Sequence, residues 1–264
     1  MDFLQAFALA FLQGVTEFLP VSSSAHLILM PVVLGWEDQG QAFDVAVHLG
    51  TLFAVVGFYR RDVYRLVVAW VASVTKKQNS DDSQLAWSVI IATIPVGLVG
   101  LAISDGVDHL LRSPLVIAVA TILFAVLLAW ASRQATERRI TLTIKEALIV
   151  GCFQALALIP GTSRSGITIT AGLLLGLTRG QAARFSFLLS IPVIVLAGLL
   201  KTIELYQSSV PVVWEFMAVG VVVSAVVAYL SIAWFLRFLE RVGVMPFIWY
   251  RIILGLVLLA VFIH

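Results

Sequence analysis

The sequence predicts an all-α polytopic membrane protein, with six transmembrane helices and two re-entrant helical hairpins in inverted-topology repeats. Three observations carry this expectation. Hydrophobic residues make up 61% of the 264-residue chain and charged residues 12%, about half the charged share of a soluble protein. Six stretches reach the roughly 20 apolar residues that a membrane span needs, at 43–59, 85–104, 114–132, 181–203, 211–236 and 247–263. Two further apolar segments, 3–35 and 147–178, are broken in the middle by proline and polar residues.

The charges order these pieces. Arg60, Arg61, Arg65, Lys76 and Lys77 follow the first span; Arg133, Arg138, Arg139 and Lys145 follow the third; Arg237 and Arg241 precede the last. The loops near 105–113 and 204–215 carry mainly Asp105, Asp108, Glu204 and Glu215, with Arg112 the nearby cation. The positive-inside rule places the first set in the cytoplasm and the second outside. The third span then ends inside and the fourth begins inside. The segment 147–178 therefore enters from the cytoplasm and returns to it, as Arg179 and Arg184 suit, and 3–35 enters and returns outside. Repeat one would cover 1–132 and repeat two 140–264, within a single membrane domain. Irregular backbone at membrane depth is tolerated only where it is buried or lines a cavity, so the two tips should meet.

Taken in chain order, the N-terminus lacks a basic region and a small-residue cleavage site, so no cleaved signal peptide is expected. The first broken segment carries Gln13, Gly14, Glu17 and Pro20, then Ser22, Ser23, Ser24 and His26. A carboxylate at Glu17 inside a bilayer must be paired, hold a metal or stay protonated. One serine of the run is a candidate nucleophile, with Glu17 and His26 flanking it as candidate bases; Ser22 or Ser23 also suits a helix cap. Asp44 and His48, four apart, share one face of the first span and are expected to support the site. Residues 62–74 are too short to span and are expected at the interface, followed by a polar cytoplasmic loop, 76–84. Trp36, Tyr206 and Trp214 are expected in an outer aromatic belt, and Tyr59, Tyr64, Trp130, Trp234 and Trp249 in an inner one. The single cysteine, Cys152, excludes an intramolecular disulfide framework. Gly172 and Gly176 form a small-xxx-small pattern of the kind that packs helices.

The second broken segment holds Pro160, Gly161, Thr162, Ser163, Arg164, Ser165, Gly166, Ile167 and Thr168. An arginine at membrane depth costs about 2.5–3.5 kcal/mol even on the lenient insertion scale, so it should face a partner or a wet cavity. Two glycines and four hydroxyl residues allow a sharp turn with inward N–H groups, and Arg164 adds a planar fork that fits a phosphate. The pattern reads as a phosphate or diphosphate cradle. Its spacing mimics a nucleotide P-loop, but Ile167 stands at the lysine position and a membrane helix precedes it, which rejects that motif. Pro20–Ala25 lies over Pro160–Ser165, and Phe43-Asp44 over Phe185-Ser186, at corresponding places in the two halves.

The runs Gln13–His26 and Pro160–Thr168, with Phe185–Pro192, resemble the undecaprenyl pyrophosphate phosphatase family, also called bacitracin-resistance proteins. The resemblance covers essentially the whole chain. It implies an enzyme of the bacterial cytoplasmic membrane that hydrolyses undecaprenyl diphosphate to undecaprenyl phosphate and inorganic phosphate, with its site facing the exterior. It implies a polyprenyl diphosphate substrate among membrane lipids, a divalent cation (magnesium or calcium), no nucleic-acid partner, and room for a homodimer. The family's essential Glu, Ser, His and Arg match Glu17, Ser23, His26 and Arg164. Its first acidic position is Gln13 here, leaving Glu17, with Gln13, as the expected metal contact. Asp44 and His48 stand at family glutamate and glutamine positions. On this reading Arg164 and the backbone of 161–166, with Ser165, Thr168, Ser22 and Ser24, bind the diphosphate, His26 acts as acid or base, and Ser23 attacks phosphorus or orients water. Inverted repeats with broken helices equally suit a transporter or flippase for an anionic polyprenyl lipid; a purely structural subunit leaves Glu17 and Arg164 without a reason.

Overall fold

The computed structural model describes residues 1–102, 111, 113–207 and 213–262. Asp105, Asp108 and Arg112, and the ends of the spans predicted to 104, from 211 and to 263, lie outside the described residues. Eleven α-helices are present among the described residues: α1 Phe3–Thr16, α2 Ser23–Leu34, α3 Gly40–Phe58, α4 Arg60–Lys76, α5 Asp81–Ala102, α6 Pro114–Gln134, α7 Ile144–Ala155, α8 Arg164–Leu174, α9 Arg179–Gln207, α10 Trp214–Arg241 and α11 Met245–Phe262. Six of them, α3, α5, α6, α9, α10 and α11, are long and apolar enough to cross a membrane. These are the six stretches expected from hydropathy.

Local chemistry starts and stops the shorter helices. Asp2 and Gln5 form a reciprocal capping box at the start of α1, and Thr143 and Glu146 form another at the start of α7. At 12–14 residues α1, α2 and α7 are too short to span, as is α8 at 11. The pairs α1–α2 and α7–α8 fold back as two hairpins. Ser22 and Ser163 are the N-caps of α2 and α8, and both hold a left-handed φ, of 72° and 70°. One shift of 141 residues carries Asp2 to Thr143, Gln5 to Glu146, Gln13 to Gln154 and Ser22 to Ser163. The tips therefore pair Ser22 with Ser163 and Ser23 with Arg164, one position away from the proline-to-proline alignment. A single 3-10 turn, Leu156–Leu158, follows α7 and has no counterpart after α1.

Helix α1 packs on α10 while α7 packs on α5, and α3 and α9 pack on each other between these pairs. The main core runs through a chain of ring contacts: Phe18 to Phe187 at 5.2 Å between centroids, Phe187 to Phe235 at 5.8 Å, and Phe235 to Phe247 at 5.3 Å. Phe18 is fully buried, and so its neighbour Glu17 sits on a rigid base.

Three expectations are corrected. Tyr59 is buried against Phe58 and Phe187 rather than placed in an aromatic belt, whereas Tyr64, Trp130, Trp234 and Trp249 are exposed. Gly176 lies past the end of α8 with φ of +87°, so it is a turn residue, close to Thr136; Gly172 makes the helix–helix approach, to Ala182 of α9. Residues 60–76 form a helix (α4) whose Val67, Val68, Val71 and Val74 are exposed, and α5 begins at Asp81, inside the predicted loop.

Candidate active site

The two hairpin tips touch. Ser22 Oγ accepts the Gly161 N–H at 3.2 Å, and Ser165 Oγ donates to the Leu19 carbonyl at 2.8 Å. Gly161 is required where it stands. Its φ is +94°, and an added Cβ would lie 2.5 Å from the Ile117 carbonyl oxygen of α6. The Ser22 side chain thus bridges the tips instead of capping its own helix, and Ser163 Oγ caps α8 by accepting from the Gly166 N–H at 3.2 Å.

Glu17 stands at the junction. Arg164 Nη2 donates to its Oε1 at 2.6 Å; Ser23 Oγ, at 2.6 Å, and Gln13 Nε2, at 3.0 Å, donate to its Oε2. His48 Nε2 lies 3.8 Å from the same Oε2. The Glu17 and Arg164 side chains are only 7% and 13% exposed, so this is a buried, hydrogen-bonded ion pair. Breaking such a pair by removing one partner costs about 3–5 kcal/mol. Arg164 also donates to the Ser186 carbonyl at 3.3 Å and lies over the Phe18 ring, 5.8 Å from its centroid.

These groups open into a cavity of about 300 Å3. Glu17, Ser22, Ser23, Ser24, Asp44, His48, Ser163 and Arg164 line it, all expected from the sequence. Its polar wall is the first half of α3, with Gln41, Asp44 and His48. The facing wall is apolar, built by Val193, Ile194, Ala197 and Gly198 of α9, Val96 of α5, and Ala157 and Leu158. Lys201, which sequence reasoning passed over, also lines it and is paired with Glu204 at 2.8 Å.

The remaining candidates lie behind this surface. Gln13, Gly161, Thr162, Ser165, Gly166 and Thr168 are buried below the lining. Thr168 Oγ1 donates to Ser186 Oγ at 2.7 Å. His26 is turned away from the cavity: its Nδ1–H donates to the Ser22 carbonyl at 2.7 Å, which leaves Nε2 to accept from the Tyr250 hydroxyl at 2.5 Å. Tyr250 and Arg251 of α11 are the residues that the sequence reading missed. Arg251 is fully buried and donates to the carbonyls of Gly161 and Thr162, both at 2.8 Å. An arginine inside the apolar run 245–262 was the available signal.

The expected cation can be tested against these donors. Among the described residues no three His, Cys, Asp or Glu side chains gather to cage a metal. The oxygens of Glu17, with the buried and unpartnered Gln13 Oε1 beside it, suit the other mode of magnesium binding, in which one carboxylate shares the ion with substrate phosphates.

Fold and site together define a multi-pass helical membrane protein with a charged, hydroxyl-rich centre between two broken hairpins. The family profile described as "Bacitracin resistance protein BacA" matches residues 6–257. The chain is 57% identical to Undecaprenyl-diphosphatase 2 of Stutzerimonas stutzeri, over 99% of this chain and 99% of that protein. It is 54% identical to Undecaprenyl-diphosphatase of Nitrosococcus oceani, over 99% of this chain and 100% of that one, and 56% identical to its namesake in Alcanivorax borkumensis, over 98% of each. The chain belongs to the bacitracin resistance protein BacA family.

Proposed function

We propose that the chain hydrolyses undecaprenyl diphosphate to undecaprenyl phosphate and inorganic phosphate and so recycles a cell-wall lipid carrier. The observation that carries this is the Arg164–Glu17–Ser23 line, in which a hydroxyl donates to a carboxylate that is itself held by an arginine, at 2.6 Å on both sides. This is the arrangement of an activated nucleophile: hydroxyl, base, and a third group that orients the base.

In the reading this supports, the diphosphate enters the cavity and its charge draws Arg164 and the first-turn N–H groups of α8. Glu17 takes the Ser23 proton as Ser23 Oγ attacks the terminal phosphorus. The P–O–P bridge breaks and undecaprenyl phosphate leaves. Its oxygen departs as a phosphate anion, so no protonation by His26 is needed. Glu17 gives up the first proton to solvent, takes one from the water that attacks the phosphoserine, and returns it to Ser23 Oγ as the P–O bond breaks and phosphate leaves. His26 acts through Ser22, whose carbonyl it holds, and Asp44 and His48 form the polar wall. A divalent cation bound by Glu17 and Gln13 would supply charge neutralisation at the phosphate oxygens. The isoprenoid would lie along the apolar α9 wall.

The site faces the exterior of the cytoplasmic membrane in this proposal. The cavity lies at the start of α3 and the end of α9, while Arg60, Arg61, Arg65, Arg179 and Arg184 lie at the opposite ends of these helices. The 141-residue correspondence and the reciprocal packing of α1 on α10 and α7 on α5 support inverted repeats. The same packing favours, as a second reading, movement of the lipid product across the membrane. The deciding assay is phosphate release from a long-chain polyprenyl diphosphate by the purified protein in detergent, with and without magnesium, beside Glu17→Ala. Metal-dependent release that the variant lacks is expected. Absence of release from folded protein would leave the transport reading, tested by lipid exchange in vesicles.

A further inference from the structure

Arg251 has no place in that chemistry, yet it is the largest fully buried side chain among the described residues. Its position is costly. Among the described residues no carboxylate pairs with it, and its Nε and Nη1 have no hydrogen-bond partner. Only Nη2 is used, and it donates to two consecutive carbonyls, those of Gly161 and Thr162. A buried arginine with one working nitrogen is poor design for stability alone, since replacing buried charge with packed apolar groups is often neutral or stabilising.

The geometry says what the arrangement does accomplish. In a trans peptide the N–H points opposite to the preceding C=O. By turning the Gly161 and Thr162 carbonyls toward α11, Arg251 turns the N–H groups of Thr162 and Ser163 the other way. The Thr162 N–H is consumed in the turn, where it donates to the Ile159 carbonyl at 3.1 Å. Ser163 lines the cavity, and its N–H stands immediately before the first-turn N–H groups of Arg164 and Ser165, which have no intrahelical acceptor. The left-handed Ser163, with φ of 70°, needs such an external hold, because a non-glycine residue does not rest there unaided. Gly166 completes the fit: a Cβ on it would come within 2.9 Å of Arg251 Nη1.

We propose that Arg251 is a positioning residue for the diphosphate cradle: from behind, it holds the peptide planes of residues 161–163 so that the Ser163 N–H, with the first-turn N–H groups of α8, faces the phosphates. The proposal rests on the phosphatase reading above and extends it to a residue of α11 that does not line the cavity.

The test compares Arg251→Met, Arg251→Lys and Gly166→Ala with wild type in detergent. Three quantities are read: kcat/KM for a polyprenyl diphosphate, the inhibition constant of inorganic pyrophosphate, and the melting temperature. Arg251→Met is expected to lower kcat/KM about 100-fold and to weaken pyrophosphate inhibition about tenfold, as for loss of a hydrogen bond to a charged group, while melting no lower than wild type. Arg251→Lys keeps the charge and a donor and is expected to restore most of both. Gly166→Ala pushes the guanidinium off the carbonyls, so it should weaken pyrophosphate inhibition in wild type and add little in the Arg251→Met background. A Met variant that melts far lower with unchanged pyrophosphate inhibition would make Arg251 a structural residue only and overturn the proposal, as would additive Gly166→Ala and Arg251→Met effects. Inactive wild-type protein would instead strike the phosphatase reading itself.

Discussion

Ser23 and Arg164 grip the same carboxylate, but their removal should have different consequences. Ser23→Ala deletes one of two donors to Glu17 Oε2 and leaves Gln13 and the Arg164 pair in place. The loss in stability should stay near 1 kcal/mol, the net worth of one hydrogen bond. Turnover should fall about 1,000-fold or more if Ser23 is the nucleophile. Acid quench of the working wild-type enzyme with labelled diphosphate should trap phosphoserine at residue 23; a chase that never labels the protein would transfer the attack to water. Arg164→Ala leaves a buried carboxylate unpaired and should cost about 3–5 kcal/mol in thermal unfolding. Adding Glu17→Gln to Arg164→Ala should recover much of that loss without recovering activity, because the penalty belongs to the orphaned charge. If the double variant melts no higher than Arg164→Ala alone, the pair is not the source of the cost.

At the scale of elements, α9 carries the apolar wall and α7 carries the cap. An added Cβ at Gly198 meets nothing within 4 Å, so a larger side chain there grows into open cavity. Gly198→Phe should lower kcat/KM for the lipid substrate about 10- to 100-fold, the range for a misfit in an apolar pocket, and leave inorganic pyrophosphate inhibition unchanged. Equal weakening of both would mean that this wall touches the phosphates. The capping box of α7 sets a pH dependence. Hydrogen bonds from Arg139, against partial burial, and further ones from Thr143 hold the Glu146 carboxyl down to about 2. A depressed carboxylate stabilises the fold above its unfolded value, near 4.3, and loses that contribution as pH falls toward 2. The melting difference between wild type and Glu146→Gln should therefore be constant from neutral pH to about 5 and shrink below it; a constant difference at every pH would remove the carboxylate from the cap's stability.

The same elements show what the sequence made legible. The six spans and both tips follow from hydropathy and from polar breaks, because a bilayer punishes every exception. Glu17, Ser23, Arg164, Asp44 and His48 come together as the residue types demanded. The pairing of Ser22 with Ser163 was not readable, because Pro20 and Pro160 stand 140 apart, one short of the 141 that relates the helices and the tips, and so are false markers. The orientation of His26 was not readable either. It depends on Tyr250, 224 residues away, and no local pattern reports a contact of that kind.

For the whole molecule, the inverted arrangement makes a claim about sides that labelling can decide. The loop after the first hairpin holds Glu37 and lies at the cavity end of α3; its counterpart after the second hairpin, displaced by 141, is Thr178, at the start of α9. Around Thr178 the chain is tied to the basic end of the bundle: Arg179 pairs with Glu137 at 2.8 Å, Arg184 pairs with Asp62 of α4, and the Thr178 N–H donates to the Arg139 carbonyl. Asn79, exposed between α4 and α5, lies on the same side. In a Cys152→Ser background, Glu37→Cys should react with an impermeant maleimide applied to the cell exterior. Asn79→Cys and Thr178→Cys should react only after the membrane is opened. Labelling of residues 37 and 178 from one side would dissolve the inverted repeat, since two hairpins that both return to the side they entered can face opposite ways only if an odd number of spans separates them. Labelling of residue 37 from the inside alone would preserve the repeat but reverse the protein, and would place the Glu17–Arg164 cavity toward the cytoplasm.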